Sequence, residues 1–224
     1  MRVSENIQEI KNEIPSHVRL VAISKTRPVS DIQEAYDGGQ RIFGENKVQE
    51  MVPKHDALPD DIEWHMVGHL QSNKVKYIAP FVALIHSVDS LGLLTEINKQ
   101  ALKNNRVIPC LLQMHIAEEE TKFGFSEEEL MELFVSAEFH SLKNISVAGL
   151  MGMATFTSSE TQVRNEFKRL VAMFRKLQTG IFSGKSSFRE LSMGMSSDYQ
   201  IAIEEGSTLI RVGTKIFGER DYSK

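Results

Sequence analysis

The chain has 224 residues, 41% of them apolar, which is enough to bury a sizeable core and excludes an intrinsically disordered protein. Lys and Arg number 26 against 30 Asp and Glu, so the net charge is −4 and no general attraction to nucleic acid is expected. A single cysteine, Cys110, excludes a disulfide framework within the chain, no apolar run approaches bilayer length, and the N-terminal MRVSENIQEIKNEI has no apolar signal core; a cytoplasmic location, with no membrane association, is the expectation.

In chain order, Ile7, Ile10 and Ile14 at helical spacing predict a helix ahead of the first strand. Eight apolar or β-branched runs follow, each bounded by Gly, Pro, Ser, Asn or Asp. They are expected as strands over Arg19–Ser24, Arg41–Gly44, Glu63–Gly68, Leu84–Val88, Ile108–Ile116, Ser146–Met153, Leu191–Met195 and Leu209–Val212. Helical patterns lie between most of them. Ser30–Tyr36 follows the first strand and is stopped by Gly38-Gly39. A longer helix starts at Ser90 after the fourth. Ser126 with Glu129 three residues later forms a capping box ahead of LMELFVSAEF. Ser158-Ser159-Glu160 opens the longest helix, with Val163, Phe167, Leu170, Val171 and Phe174 on one face. Cys110 sits inside the fifth run and reads as a small core side chain.

Strand and helix alternating eight times predict an α/β fold, a (β/α)8 TIM barrel with an extra N-terminal helix. An open doubly wound sheet shares the alternation but uses fewer strands. No linker, low-complexity tract or solenoid repeat interrupts the chain, so residues 1–224 are expected to form a single domain.

In such barrels the active site lies where the strands end. VAISKTRP places Lys25 at that point of the first strand, on the same face as Val21 and Ile23. Two readings are open: a lysine whose tip escapes to solvent, or an amine whose partial desolvation favours the neutral form that attacks an aldehyde. Two further segments bear on the choice. LSMGMSSD, residues 191–198, ends strand seven and offers Ser196 and Ser197 hydroxyls and N–H groups at the start of a helix over Tyr199–Ile203. LIRVGTKIFG, residues 209–218, ends strand eight and offers Gly213 and Thr214. Barrel enzymes often hold phosphate between these two loops. Arg211 shares a face with Leu209 and Gly213, and an inward guanidinium needs either a carboxylate or a ligand acceptor. An aldehyde, a phosphate and a ring acceptor in one ligand describe pyridoxal 5′-phosphate.

The chain resembles the YggS/PROSC family of pyridoxal-phosphate-binding homeostasis proteins over nearly its full length. The resemblance rests on VAISKTRP, on FGENKVQE at residues 43–50, on WHMVGHLQSNK at residues 64–74, on Gly149-Leu150-Met151, and on LSMGMSSD and RVGTKIFG. It implies a barrel like the N-terminal domain of alanine racemase, with pyridoxal phosphate as cofactor. It implies Lys25 as the imine-forming residue, Ser196, Gly213 and Thr214 near the phosphate, and Arg211 facing the pyridine nitrogen. Asn46 and Met151 map to strand-end positions around the ring, while His69 and Asn73 read either as further site residues or as capping or core side chains. The chain departs from the family in Met151-Gly152-Met153-Ala154-Thr155, where a proline-containing turn is usual. Lys122 resembles a second family lysine; it reads either as a loop charge beside Glu118, Glu119 and Glu120 or as a secondary acceptor for the cofactor.

Three functions fit this constellation to different degrees. A carrier holds the cofactor in intracellular homeostasis without turnover, with apo pyridoxal-phosphate enzymes as possible partners. A racemase needs a second acid/base on the opposite ring face, which alanine racemases take from another domain of the partner subunit. None of Tyr36, Tyr77, Tyr199 and Tyr222 falls at an obvious strand end, and the chain stops soon after strand eight. A Schiff-base aldolase acting on sugar phosphates has no need of Arg211. The expectation is a monomeric carrier with no catalytic residue and no metal.

Overall fold

The computed structural model describes residues 3–118 and 123–219. Eight parallel strands close into a barrel in sequence order, β1 pairing with both β2 and β8. The strands are β1 (Arg19–Ile23), β2 (Ile42–Glu45), β3 (Glu63–Met66), β4 (Leu84–Val88), β5 (Ile108–Met114), β6 (Ile145–Gly152), β7 (Glu190–Ser192) and β8 (Leu209–Val212). The helices are α1 (Val3–Glu13), α2 (Val29–Asp37), α3 (Val48–Ala57), α4 (Val75–Ile78), α5 (Leu91–Lys103), α6 (Glu127–Val135), α7 (Ala137–Ser141), α8 (Glu160–Thr179), α9 (Tyr199–Glu204) and α10 (Thr214–Phe217). Among the described residues no helix is long and apolar enough to cross a membrane.

The eight expected strands all form, two with the expected bounds and the others with ends shifted by one to three residues. The largest difference is β7, which stops at Ser192 although its apolar run continues to Met195. Gly194 adopts φ +93°, a left-handed conformation that breaks the regular strand. The pairing nonetheless runs on, since Met193 N–H donates to the Leu209 carbonyl and Arg211 N–H to the Gly194 carbonyl. The helix signals also hold. Ser90 caps α5 by accepting from Leu93 N–H, Ser159 caps α8, and Ser126 with Glu129 makes both bonds of the capping box on α6.

Strand alternation divides the core into two layers. Leu20 and Ala22 of β1 face the helices, with Phe43, Trp64, Ile85 and the apolar faces of α5 and α8. Val21 faces the barrel axis with Leu84, Leu111, Met151 and Leu209, and Ile23, Ile42 and Met153 cover that inner layer. Ile7 and Ile10 of α1 are buried in the outer layer. Cys110 is fully buried, and burial pushes its thiol pKa up, which leaves it an inert core side chain.

Close strand approach explains one glycine of the Gly-Leu-Met block. A Cβ on Gly149 would lie 1.7 Å from the Glu190 carbonyl oxygen across the β6–β7 pairing. Gly92, on the exposed side of α5, has nothing within 4 Å of its would-be Cβ. Gly149→Ala should therefore destabilise the chain by at least about 3 kcal/mol, whereas Gly92→Ala should stabilise it by about 0.5–1 kcal/mol. Urea unfolding of the two variants checks both signs.

Candidate functional site

The C-terminal ends of β1, β2, β7 and β8 open onto a cavity of about 580 Å³. Barrel closure brings β1 against β8, so Lys25 meets residues almost 190 positions away in sequence. Lys25 is half-buried and lines the cavity together with Asn46, Ser196, Arg211, Gly213 and Thr214. Six of the seven residues expected at the site are thus brought together. Met151 lies deeper, fully buried in the inner apolar layer, and Met153 lines the cavity in its place. His69 and Asn73 do not line it. His69 is exposed, 3.2 Å from Asp89 through Nδ1, and its ring stacks on Phe123. Lys122 and Tyr222 fall outside the described residues.

Two lining cations had no signal as site residues in the sequence. Arg27 extends from the β1 turn and donates to the Gly218 and Glu219 carbonyls after β8. Lys215 sits in the first turn of α10, 3.2 Å from the Tyr199 hydroxyl. Four cations, Lys25, Arg27, Arg211 and Lys215, therefore share the cavity, and no Asp or Glu is among its described lining residues. In a chain of net charge −4 this concentrates positive potential at one opening.

The loops after β7 and β8 are joined by a side chain. Ser196 Oγ accepts the Gly213 N–H at 3.2 Å. Asp198, rather than a serine, organises the turn into α9, with Oδ1 accepting from Met195 N–H at 2.5 Å. Among the described residues, the backbone N–H groups of Ser196, Ser197 and Thr214 have no protein acceptor. The cavity thus combines unpaired donors, hydroxyls and cations, the donor set for a phosphate.

Lys25 is carried by a turn in which the Arg27 N–H donates to the Ser24 carbonyl at 3.0 Å and Thr26 has φ +65°. A positive φ at the third turn position is the type II arrangement, which favours Gly or Asn. A β-branched threonine there costs on the order of 1–3 kcal/mol.

Arg211 is 5% exposed, and the Asp198 carboxylate acts on it electrostatically, partly offsetting its burial. Its guanidinium donates to Ser192 Oγ at 2.6 Å and to the Gly152 carbonyl at 3.1 Å. Ser192 Oγ lies 2.9 Å from His86 Nδ1, and His86 Nε2 lies 2.9 Å from His65 Nδ1. This polar chain runs down the barrel axis from the mouth. Burial pulls the Arg211 pKa down to about 10, which still leaves it cationic at neutral pH. Burial, together with Arg19, pulls His65 down to about 3; burial, then His65, Arg211 and Arg19, lowers His86 well below its usual range. Both imidazoles are neutral in the folded barrel.

The family model described as "Alanine racemase, N-terminal domain" matches residues 1–221. A protein named pyridoxal phosphate homeostasis protein from Aquifex aeolicus is 43% identical over 99% of this chain and 96% of its own length. The solved structure of PipY from Synechococcus elongatus with PLP bound superposes with a TM-score of 0.87 at 34% identity, over 96% of this chain and 100% of that one. Alanine racemase from Bartonella henselae shares the fold, with a TM-score of 0.71 at 15% identity, all of this chain covering 60% of that one.

The buried histidines make stability depend on pH. The folded pKa of His65, about 3, lies below its ordinary value of 6.5, so between those limits the unfolded chain binds more protons. Stability is complete above the higher value and falls as pH drops through the window. His65 alone should cost about 2 kcal/mol between pH 7 and pH 5. Urea unfolding at the two pH values measures this, and the difference should shrink in His65→Gln even though that variant is less stable overall.

Proposed function

Because the chain belongs to the alanine racemase N-terminal-domain family and, within it, to the pyridoxal phosphate homeostasis proteins, we propose that it binds pyridoxal 5′-phosphate at the barrel mouth and acts as a carrier in intracellular homeostasis. The observation that carries this reading is the lining of one cavity: an inward lysine amine, two loops of N–H and hydroxyl donors, and four cations with no Asp or Glu among the described lining residues. The group supplies an aldehyde that a neutral amine captures with loss of water and releases on hydrolysis. Each part of it has a fitting residue. Lys25 presents the amine. Ser196, Ser197 and Thr214 present donors for the phosphate, Gly213 lines the cavity beside them with its N–H held by Ser196 Oγ, and Lys215 and Arg27 add charge. Arg211, held from below by Ser192, aims a cation that cannot accept a proton at the ring nitrogen. Asn46 and Met153 flank the ring.

Arg211 bears on the choice between carrier and enzyme. A cation that cannot take up a proton keeps the ring nitrogen unprotonated and weakens the ring as an electron sink. A racemase also needs an acid/base opposite Lys25. Tyr36, Tyr77 and Tyr199 do not line the cavity, and the Tyr199 hydroxyl is engaged by Glu13 at 2.7 Å and by Lys215. These features favour the carrier over the racemase. In this reading the protein works in the cytoplasm as a monomer formed by one domain over residues 1–224, and apo pyridoxal-phosphate enzymes receive the cofactor.

Borohydride treatment of the loaded protein should fix the label on Lys25, read by peptide mass spectrometry. Lys25→Ala should lose that label yet keep phosphate-driven affinity, weakened by roughly ten- to a hundredfold in a binding titration. Mixing loaded protein with an apo pyridoxal-phosphate enzyme should restore that enzyme's activity. Steady racemisation of any one amino acid by the purified protein would overturn the carrier reading.

A further inference from the structure

The sequence block FGENKVQE contributes only Asn46 to the cavity, yet it carries two carboxylates that converge behind the Lys25 turn. Glu45, at the end of β2, is fully buried. Its Oε1 accepts from Ser24 Oγ at 2.7 Å and from Lys54 Nζ at 2.7 Å. Lys54, on α3 and only 7% exposed, also donates to the Ser24 carbonyl at 2.8 Å. Glu50, one turn before Lys54 on the same helix face, accepts the Thr26 N–H through Oε2 at 2.6 Å and lies 3.5 Å from Lys54 Nζ. The residue before Lys25 and the residue after it are therefore each gripped by a charged side chain.

Two features argue that this cluster serves geometry and not stability. A buried ion pair is often no more stabilising than apolar residues of the same volume. Here Glu45 additionally leaves its Oε2 buried with no hydrogen-bond partner among the described residues, a loss that a purely stabilising cluster would avoid. The Glu50 bond, in turn, falls on the residue whose positive φ is unfavourable for a threonine. A strained turn persists only when its surroundings over-determine it. Relaxation of Thr26 would rotate the peptide that follows Lys25 and swing the amine off its line into the cavity.

We propose that Glu50 and Lys54, acting with Glu45, are positioning residues that hold the strained Ser24–Arg27 turn and so aim the Lys25 amine into the cavity. The inference rests on the cofactor reading above. Neither Glu50 nor Lys54 lines the cavity, and both act only through the backbone on either side of Lys25.

The test compares two ligands with the same ring and phosphate. Pyridoxal 5′-phosphate has the aldehyde that Lys25 captures, and 4′-deoxypyridoxine 5′-phosphate lacks it. In Glu50→Ala, affinity for pyridoxal phosphate should fall roughly tenfold while affinity for the deoxy analogue stays within about twofold of the unsubstituted protein. Adding Thr26→Gly to Glu50→Ala should restore most of the difference, because glycine holds a positive φ without a clamp. Glu50→Gln, whose amide oxygen can still accept from Thr26, should stay folded and keep the discrimination. Loss of both ligands in equal proportion, an unchanged ratio in Glu50→Ala, or no recovery with Thr26→Gly would each overturn the positioning role. If the unsubstituted protein itself binds both ligands alike and gives no borohydride label on Lys25, the cofactor reading falls first and the positioning role falls with it.

Discussion

Closure of the sheet is the constraint on which the remaining structure depends. β1 is hydrogen-bonded on one side to β2 and on the other to β8, in the register Arg19↔Leu209 through Ala22↔Val212. An open sheet would leave the first and last strands at opposite edges. In the closed one, the turn after β1 lies against the loops after β7 and β8, and Arg27 reaches the carbonyl of Gly218. The cavity is lined by strand ends and by the loops and first helical residues that follow them. The β-strand scaffold fixes their spacing, while the loops are left to carry the chemistry.

Charge follows from how the barrel interior solves the burial of Arg211. The hydrogen bonds of the guanidinium go to neutral acceptors, Ser192 and the Gly152 carbonyl, with the two neutral histidines beyond Ser192, while the Asp198 carboxylate acts on it electrostatically and offsets part of the desolvation. Arg211 remains cationic, and its charge adds to those of Lys25, Arg27 and Lys215 at the same opening. Like charges gathered in one partly desolvated cavity repel one another, and an anionic ligand relieves that repulsion. The interior chemistry and the ligand preference are thus two sides of one electrostatic arrangement.

The lysine turn shows the same economy beside it, at the end of β1. Val21 and Ile23 share the inward face of β1, and Lys25 lies two residues beyond the end of that strand. Parity ends with the strand, and beyond Ile23 the backbone direction is set by the turn. There the chain places a threonine at positive φ and surrounds it with a buried Lys54–Glu45 pair and the Glu50 carboxylate. The packing of α3 against β2 brings those groups to the turn, so helix placement and amine direction are coupled.

The sequence by itself determined the eight strands, the capped helices, the inward face of β1 and the clustering of donor residues after strands seven and eight. These are local properties: periodicity names a face, and Ser, Gly and Pro mark ends. Depth and partnership were decided by the tertiary structure. Met151 on β6 and Met153, just past its end, are two residues apart, yet Met151 is sunk in the inner layer and Met153 lies at the mouth. Parity cannot tell the two apart, because it specifies direction and not height. Lys215 and Arg27 read as ordinary surface cations until closure sets them around the cavity. The Ser192, His86 and His65 partners of Arg211 come from three different strands, and Glu45, Glu50 and Lys54 meet the β1 turn only across the β1–β2 pairing. A side chain's own surroundings in sequence fix which way it points, whereas its neighbours in space are set by the register of strands that close the barrel over some 190 residues.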